Sequence, residues 1–260
     1  MDRLISKHLR TDAFGRVIRF YREVESTNDV AFDLAKEGAS EGTVVIADTQ
    51  TKGRGRLQRK WISPPGFNLY MSIIFRPSIS PKDASILTLV SSIALYETVN
   101  SYGIKCRIKW PNDLLINRRK VAGVLTEMEL GGGLVEFILV GLGVNLNMTR
   151  GIMNELMGDV SEIATSVREE LGHDVDRSEF AARAINLLEK WYQKFNTGGK
   201  SAIIDEWKKR WGDLDKRVRV KVGHNWIEGI AYELDQNGFL LVRRDNGMTE
   251  RIIAGDLTVI

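Results

Sequence analysis

From Gln50 the chain reads Gln50-Thr-Lys-Gly-Arg-Gly-Arg-Leu-Gln-Arg-Lys-Trp61, then Ile-Ser-Pro-Pro-Gly66, and no regular element can be made of this stretch. Gly53 and Gly55 weaken helix and strand alike, and Pro64-Pro65 cannot donate to a ladder. Any fold containing it must carry it as a long loop on a rigid scaffold. Lys52, Arg54, Arg56, Arg59 and Lys60 crowd into it, and no acidic residue occurs between Thr49 and Lys82. Such a loop repels itself unless an anion sits in it, so it is expected to be mobile when empty and ordered by ligand. Three readings stay open: a solvated basic loop, an RNA-binding patch, or a site where arginines fork onto phosphate or carboxylate oxygens, with Trp61 stacked on a base or an arginine. Neither common nucleotide loop fits. The third glycine of the dinucleotide fingerprint is missing, and no Gly-Lys-Ser/Thr ending exists.

The rest of the chain can supply the scaffold. It has 260 residues, enough to bury a core without staples, and Cys106 alone excludes an intramolecular disulfide, which fits a reducing cytoplasm. The formal net charge of +3 is too small to imply a nucleic-acid binder. His8, His173 and His224 are too scattered for zinc, and the longest apolar stretches fall short of the roughly 20 residues a membrane span needs. Residues 1–16 read as a short helix and Val17–Tyr21 as a strand. Ser26 offers helix N-cap chemistry ahead of an apolar stripe at Val30, Ala31, Leu34 and Ala35, which Gly38 closes. Strands are expected at Thr43–Ala47, Asn68–Phe75, Arg107–Trp110, Leu114–Ile116, Lys120–Leu130 and Leu134–Gly141, the last two joined by a Gly131-Gly-Gly133 turn. Helices are expected at Pro81–Tyr102, Asp176–Phe195 and Lys200–Trp211. After Asp215 the character changes. Short strands at Arg217–Val222, Trp226–Leu234, Phe239–Arg243 and Glu250–Ile253 alternate with Gly- and Asn-rich turns, the pattern of a small appended barrel, or else of an extension of the main sheet.

Three further segments carry polar chemistry. Lys109-Trp-Pro-Asn-Asp113 sets a cation, an amide and a carboxylate at a strand end. Lys120-Val-Ala-Gly123 opens an otherwise apolar strand. Lys120 is either solvated there or turned with Asp113 into one crevice, since the two are one hairpin apart. Val140-Gly-Leu-Gly-Val-Asn145 ends a buried strand with spaced glycines, read as a tight bend or as a close ligand approach.

Together with Glu25-Ser-Thr-Asn28, these segments resemble the biotin protein ligases, in order over residues 17 to 260. The pairing of Gly53-Arg-Gly-Arg56…Arg59-Lys-Trp61 with Lys109-Trp-Pro-Asn-Asp113 is specific. The resemblance implies an α+β fold: a mixed-sheet catalytic domain like that of class II aminoacyl-tRNA synthetases over residues 1–215, then an SH3-like barrel over 216–260. It implies an ATP-dependent, AMP-forming ligase that makes biotinyl-5′-AMP and transfers biotin to one lysine of a biotin carboxyl carrier protein, with Mg²⁺ accompanying ATP and no metal held by protein alone. If the barrel is separate, a chain ending near Asp215 should stay folded but lose affinity for its nucleotide or transfer to its acceptor.

Carried over residue by residue, Ser26, Thr27, Asn28 and Gln50 would hold biotin. Arg54, Gly55 and Arg56 would close over biotin and the adenylate phosphate. Arg59 would reach the ATP phosphates, with Trp61 and Asn112 near the nucleotide. Lys120 would bridge the biotin carboxylate and the α-phosphate, Gly123 would clear the biotin pocket, and Asn145 would lie near adenine. Lys120, Arg56 and Asp113 form the expected catalytic set, Asp113 orienting the incoming lysine. The short lead before the first strand is expected to leave no DNA-binding unit. A cytoplasmic homodimer is expected, since many family members pair through exposed sheet surface. A lipoate ligase shares the fold and the adenylation chemistry, and an RNA-binding module is the alternative from another class.

Overall fold

The computed structural model describes residues 1–260. Two sheets organise it. The first holds β1 (Ile18–Val24), β2 (Val44–Gln50), β3 (Leu69–Phe75), β4 (Arg107–Lys109), β5 (Asp113–Ile116), β6 (Arg119–Gly131) and β7 (Leu134–Val144), in the order β1-β2-β3-β7-β6-β5-β4. Only β1 and β2 run parallel. β3 is buried along its whole length, which its unbroken Leu-Tyr-Met-Ser-Ile-Ile-Phe run requires of a central strand.

The helices are α1 (Asp2–Ser6), α2 (Thr27–Lys36), α3 (Ile86–Asn100), α4 (Arg150–Met157), α5 (Val167–Leu171) and α6 (Arg177–Lys208). α3 packs between the sheet and α6, and its Leu87, Leu89, Ile93 and Leu95 are buried. Each such side chain contributes about 1.5–3 kcal/mol relative to exposure. α6 is broken where Gly199 takes φ 71°, so the expected pair of helices is present, the second ending at Lys208.

The second sheet comprises β8 (Arg217–Val222), β9 (Asn225–Leu234), β10 (Leu240–Arg243), β11 (Thr249–Ile252) and β12 (Asp256–Val259), ordered β11-β10-β9-β8-β12 and antiparallel throughout. It is a separate sheet, not an extension of the first. Its apolar face nevertheless joins the main core: Val218, Val220, Ile227, Leu240 and Leu257 belong to one apolar cluster with Ile46, Leu87 and Trp207. The turn Asp235–Gly238 is pinned as well. Trp110 Nε1 donates to the Gly238 carbonyl (3.3 Å), Ser85 Oγ to that of Asn237 (2.9 Å), and Lys200 Nζ pairs with Asp83 and donates to Asn237 Oδ1. That continuity argues against a chain ending near Asp215 staying folded.

The structure corrects several expectations about individual elements. Residues 1–16 are not one helix: only Asp2–Ser6 is helical. The backbone N–H groups of Asp12, Ala13 and Phe14 are instead taken by the buried Glu189 carboxylate at 2.7–2.8 Å, which holds this segment on α6 as a turn. Pro81–Tyr102 splits into a 3₁₀ turn at Pro81–Asp83 and the helix from Ile86. α4, the 3₁₀ turn Gly158–Ile163, α5 and β12 were not foreseen.

Candidate active site

Cations of the basic loop pair with carboxylates from elsewhere in the fold. The base of the loop is a narrow hairpin: Trp61 N–H donates to Gly53 (2.8 Å), Gly55 N–H to Arg59 (2.7 Å), and Arg54 bridges Lys60. Lys52 pairs with Glu25 (2.8 Å). Arg54 forks onto Asp29 (2.6 and 3.0 Å) and also reaches Glu127 (3.2 Å). The hydrogen bonds to Asp29 hold its guanidinium above its ordinary pKa. Arg59 pairs with Asp256 of β12. Arg54 is therefore turned onto Asp29 and Glu127, which line a cavity of about 150 Å³ with Asn28, Phe32 and Phe137. The anions whose absence underlay the expected mobility of the empty loop are in part supplied by the fold, through Glu25, Asp29, Glu127 and Asp256. At Gly55 an added Cβ would meet nothing nearer than 3.8 Å, so no crowding requires that glycine; at Gly53 it would lie 2.6 Å from the Trp61 carbonyl.

Ser26 caps α2 as read, its Oγ accepting from Asn28 N–H at 3.3 Å. Behind it lies a buried polar chain. Gln50 Oε1 accepts from Thr27 N–H (2.9 Å) and Oγ1 (3.1 Å), and Ser72 Oγ lies 2.7 Å from Thr27 Oγ1 and 2.5 Å from Asn28 Oδ1. Asn28 Nδ2 completes it on Glu127. These groups are fixed before any ligand arrives, the condition for recognising a small polar molecule without an ordering penalty.

Asp113 opens β5 opposite Gly123 of β6, and a bulge after Leu114 brings Lys120 to the same side. Lys120 Nζ stands 2.7 Å from Asp113 Oδ1 and 5.3 Å above the Trp61 ring. A Cβ on Gly123 would come within 3.2 Å of Lys120 Nζ and 3.3 Å of Asp113 Oδ1. Asn112 ties the strand to the loop: its Nδ2 donates to the Val124 carbonyl (2.6 Å), while its Oδ1 accepts from Arg56 Nη1 (3.1 Å). Burial pulls the Arg56 guanidinium below its ordinary pKa, although Asp256 and Asp113 oppose that shift.

Asn145 is buried beside this crevice, its N–H on Val121 (2.8 Å) and its Nδ2 on Thr165 (3.1 Å). Thr165 N–H in turn holds the Lys120 carbonyl (2.9 Å). Three buried polar atoms here make no hydrogen bond, Asn145 Oδ1, Trp61 Nε1 and Asp113 Oδ1, the last answered only by the Lys120 ammonium at 2.7 Å. An unpaired acceptor and donor in this region are groups that a water or a polar ligand could satisfy. A larger, open depression of about 590 Å³ is lined by Met1, Phe20, Arg22, Asp48 and Arg177, none of them a motif residue.

Sequence reasoning missed Asp29, Ser72, Glu127, Thr165 and Asp256. Glu127 gave one signal, an acid within the apolar strand that follows Lys120. The others are fixed only by long-range packing.

Comparison with known proteins gives the family. Residues 20–145 match the biotin/lipoate A/B protein ligase family, and residues 213–257 the biotin protein ligase C terminal domain. The chain is 33% identical over 250 residues to the bifunctional ligase/repressor BirA of Bacillus subtilis, covering 96% of this chain and 76% of that protein. It is 35% identical over 232 residues to the biotin–[acetyl-CoA-carboxylase] ligase of Paracoccus denitrificans, covering 86% and 92%. The biotin protein ligase from Aquifex aeolicus in complex with biotin and ATP superposes with a TM-score of 0.76 at 29% identity, over 94% of this chain and 99% of that one. The class is that of the biotin and lipoate ligases. Within it, the chain belongs to the biotin protein ligase family.

Proposed function

We propose that this chain joins biotin to ATP as biotinyl-5′-AMP and passes the biotinyl group to a lysine of a biotin carboxyl carrier protein. The observation that carries the reading is the position of Lys120, a single ammonium between Asp113 and the Trp61 face, with Arg56 held nearby on Asn112. In the first step a carboxylate oxygen attacks the α-phosphorus and pyrophosphate leaves. Two anions must meet, and Lys120, Arg56 and Arg59 offset their repulsion and the charge that builds on the five-coordinate phosphorus. No group of three His, Cys, Asp or Glu side chains converges anywhere in the fold. In this reading Mg²⁺ arrives with the nucleotide, held chiefly by phosphate oxygens and water.

Thr27, Asn28 and Gln50 form a preset polar wall suited to the biotin ureido group. Asn145 Oδ1 and Trp61 Nε1 offer an acceptor and a donor to the nucleotide. In the second step the carrier amine attacks the acyl carbon of the mixed anhydride and AMP departs. Asp113 orients that amine or takes its proton once Lys120 has turned to the phosphate. The chain acts as a homodimer in the cytoplasm in this reading.

The test is [³²P]pyrophosphate–ATP exchange on the purified protein. Biotin should support exchange and lipoate should not. Exchange with lipoate alone, or none with either, would remove the assignment.

A further inference from the structure

The hairpin at the centre of the basic loop is tethered at both ends by different parts of the molecule. Its base is held by the main sheet and α2 through Arg54 on Asp29 and Glu127. Its tip is Leu57-Gln58, both at positive φ (55° and 58°), with the Leu57 side chain exposed. Two non-glycine residues in the left-handed region keep that conformation only where their surroundings impose it. The two residues flanking the tip, Arg56 and Arg59, reach adjacent residues of the second sheet. Arg56 Nη2 donates to the Gly255 carbonyl (3.1 Å) and Arg59 Nη2 to the Asp256 carboxylate. Asp256 is itself fixed, opposite Lys221 in the β12–β8 ladder.

We infer that Asp256, with the Gly255 carbonyl beside it, is a positioning residue for the nucleotide: the second sheet presets the two arginines that meet the ATP phosphates. The inference rests on the reading of Arg56 and Arg59 as phosphate-binding groups. The contacts leave those groups usable. A guanidinium has five N–H donors, and here Arg59 gives Asp256 one, while Arg56 gives one each to Asn112 and Gly255. Three N–H donors of Arg56 and four of Arg59 stay uncommitted to protein side chains or carbonyls. Without the carboxylate, ATP itself would have to order the tip, and that cost would appear as weaker nucleotide binding with an unchanged chemical step.

The experiment is biotin-dependent pyrophosphate exchange with the full chain, ATP varied at saturating biotin, for wild type, Asp256→Asn and Asp256→Glu. A surface pair of this kind sets the scale, so Asp256→Asn should raise the KM for ATP about fivefold with kcat within twofold. Asp256→Glu should recover most of the loss, which a merely structural role would not do. Trypsin should cut ligand-free Asp256→Asn faster than wild type between Lys52 and Lys60, at equal melting temperatures. In a double-mutant cycle with Arg59→Gln the two effects on KM should be non-additive. A KM for ATP that is unchanged in Asp256→Asn, or lower, overturns the inference. If wild type itself shows no biotin-dependent exchange, the failure lies with the ligase reading and not with Asp256.

Discussion

Gly143 lies flat against the indole of Trp61: a Cβ at position 143 would sit 2.6 Å from Cε2 and 2.9 Å from Nε1 of that ring. The ring also carries Lys120 on its face. A methyl at 143 must therefore tilt the indole and move the ammonium with it. Overpacking of this kind costs about 1–3 kcal/mol. Because Trp61 sits on a loop, stability should fall toward the low end of that range while exchange activity falls at least about tenfold. Thermal melts and pyrophosphate exchange on Gly143→Ala separate the two. Wild-type exchange would mean the indole moves freely and sets no geometry.

Lys120 should act in the chemical step. Removing one charge-assisted contact from a closed site costs roughly 3 kcal/mol, about 10²-fold in adenylation rate. Lys120→Arg should not fully rescue it, because a planar fork cannot replace a compact ammonium seated 2.7 Å from Asp113. Exchange at saturating biotin and ATP decides the matter. A Lys120→Gln rate within threefold of wild type would make this lysine a bystander.

Asp113→Asn should slow transfer from preformed adenylate more than it slows adenylate formation. Single-turnover rates for each half-reaction give the ratio. Equal losses would assign Asp113 to holding Lys120 and the turn at Pro111.

A chain truncated after Asp215 should lose its cooperative melt. It would strip cover from Trp110 and Leu89, now packed against the Gly238 turn, and open one face of a shared core. Differential scanning calorimetry checks this. A sharp transition in the truncated chain would show that the second sheet is an independent unit.

Glu206 accepts from Arg210 Nη1 (2.8 Å) and Lys209 Nζ (2.9 Å), and these bonds draw its carboxyl down to about 2. A lowered folded-state pKa means the contribution is complete above the unfolded value of 4.5 and is lost as pH falls toward 2. Glu206→Gln should flatten the dependence of stability on pH across that window. Urea melts at several acid pH values measure the slope, and an unchanged slope would show that other carboxylates set the acid limb.

Much of this site is legible in the sequence because its residues come in short runs. Ser26-Thr-Asn28, Asn112-Asp113 and Lys120-Val-Ala-Gly123 are local patterns, and strand and turn chemistry alone brings 113 beside 123. The second sheet was readable from alternation in Arg217–Val222 and the Asn-Gly turns, but β12 follows a turn too brief to announce it. The segment 146–171 defeats pattern reading because α4 and α5 are short and amphipathic stripes need length. The partners of the loop arginines were illegible for another reason. Asp29, Glu127 and Asp256 lie far from the loop in the sequence or outside its motif, and no periodicity links a carboxylate on β12 to an arginine near residue 59.

The compensation of the basic loop bears on which polyanions the molecule attracts. Glu25, Asp29, Glu127 and Asp256 set four negative charges against the five cations of the loop. Long nucleic acids bind basic surfaces by shedding condensed counterions, which needs uncompensated charge spread over many phosphates. Here the charge is nearly cancelled at a distance and is felt only at contact. A short triphosphate delivered into the crevice can exchange partners with the arginines one at a time, whereas a long strand passing outside meets an almost neutral surface. The loop is thus expected to discriminate by range, giving weak, salt-insensitive attraction for long nucleic acids while its arginines act on a ligand that has entered.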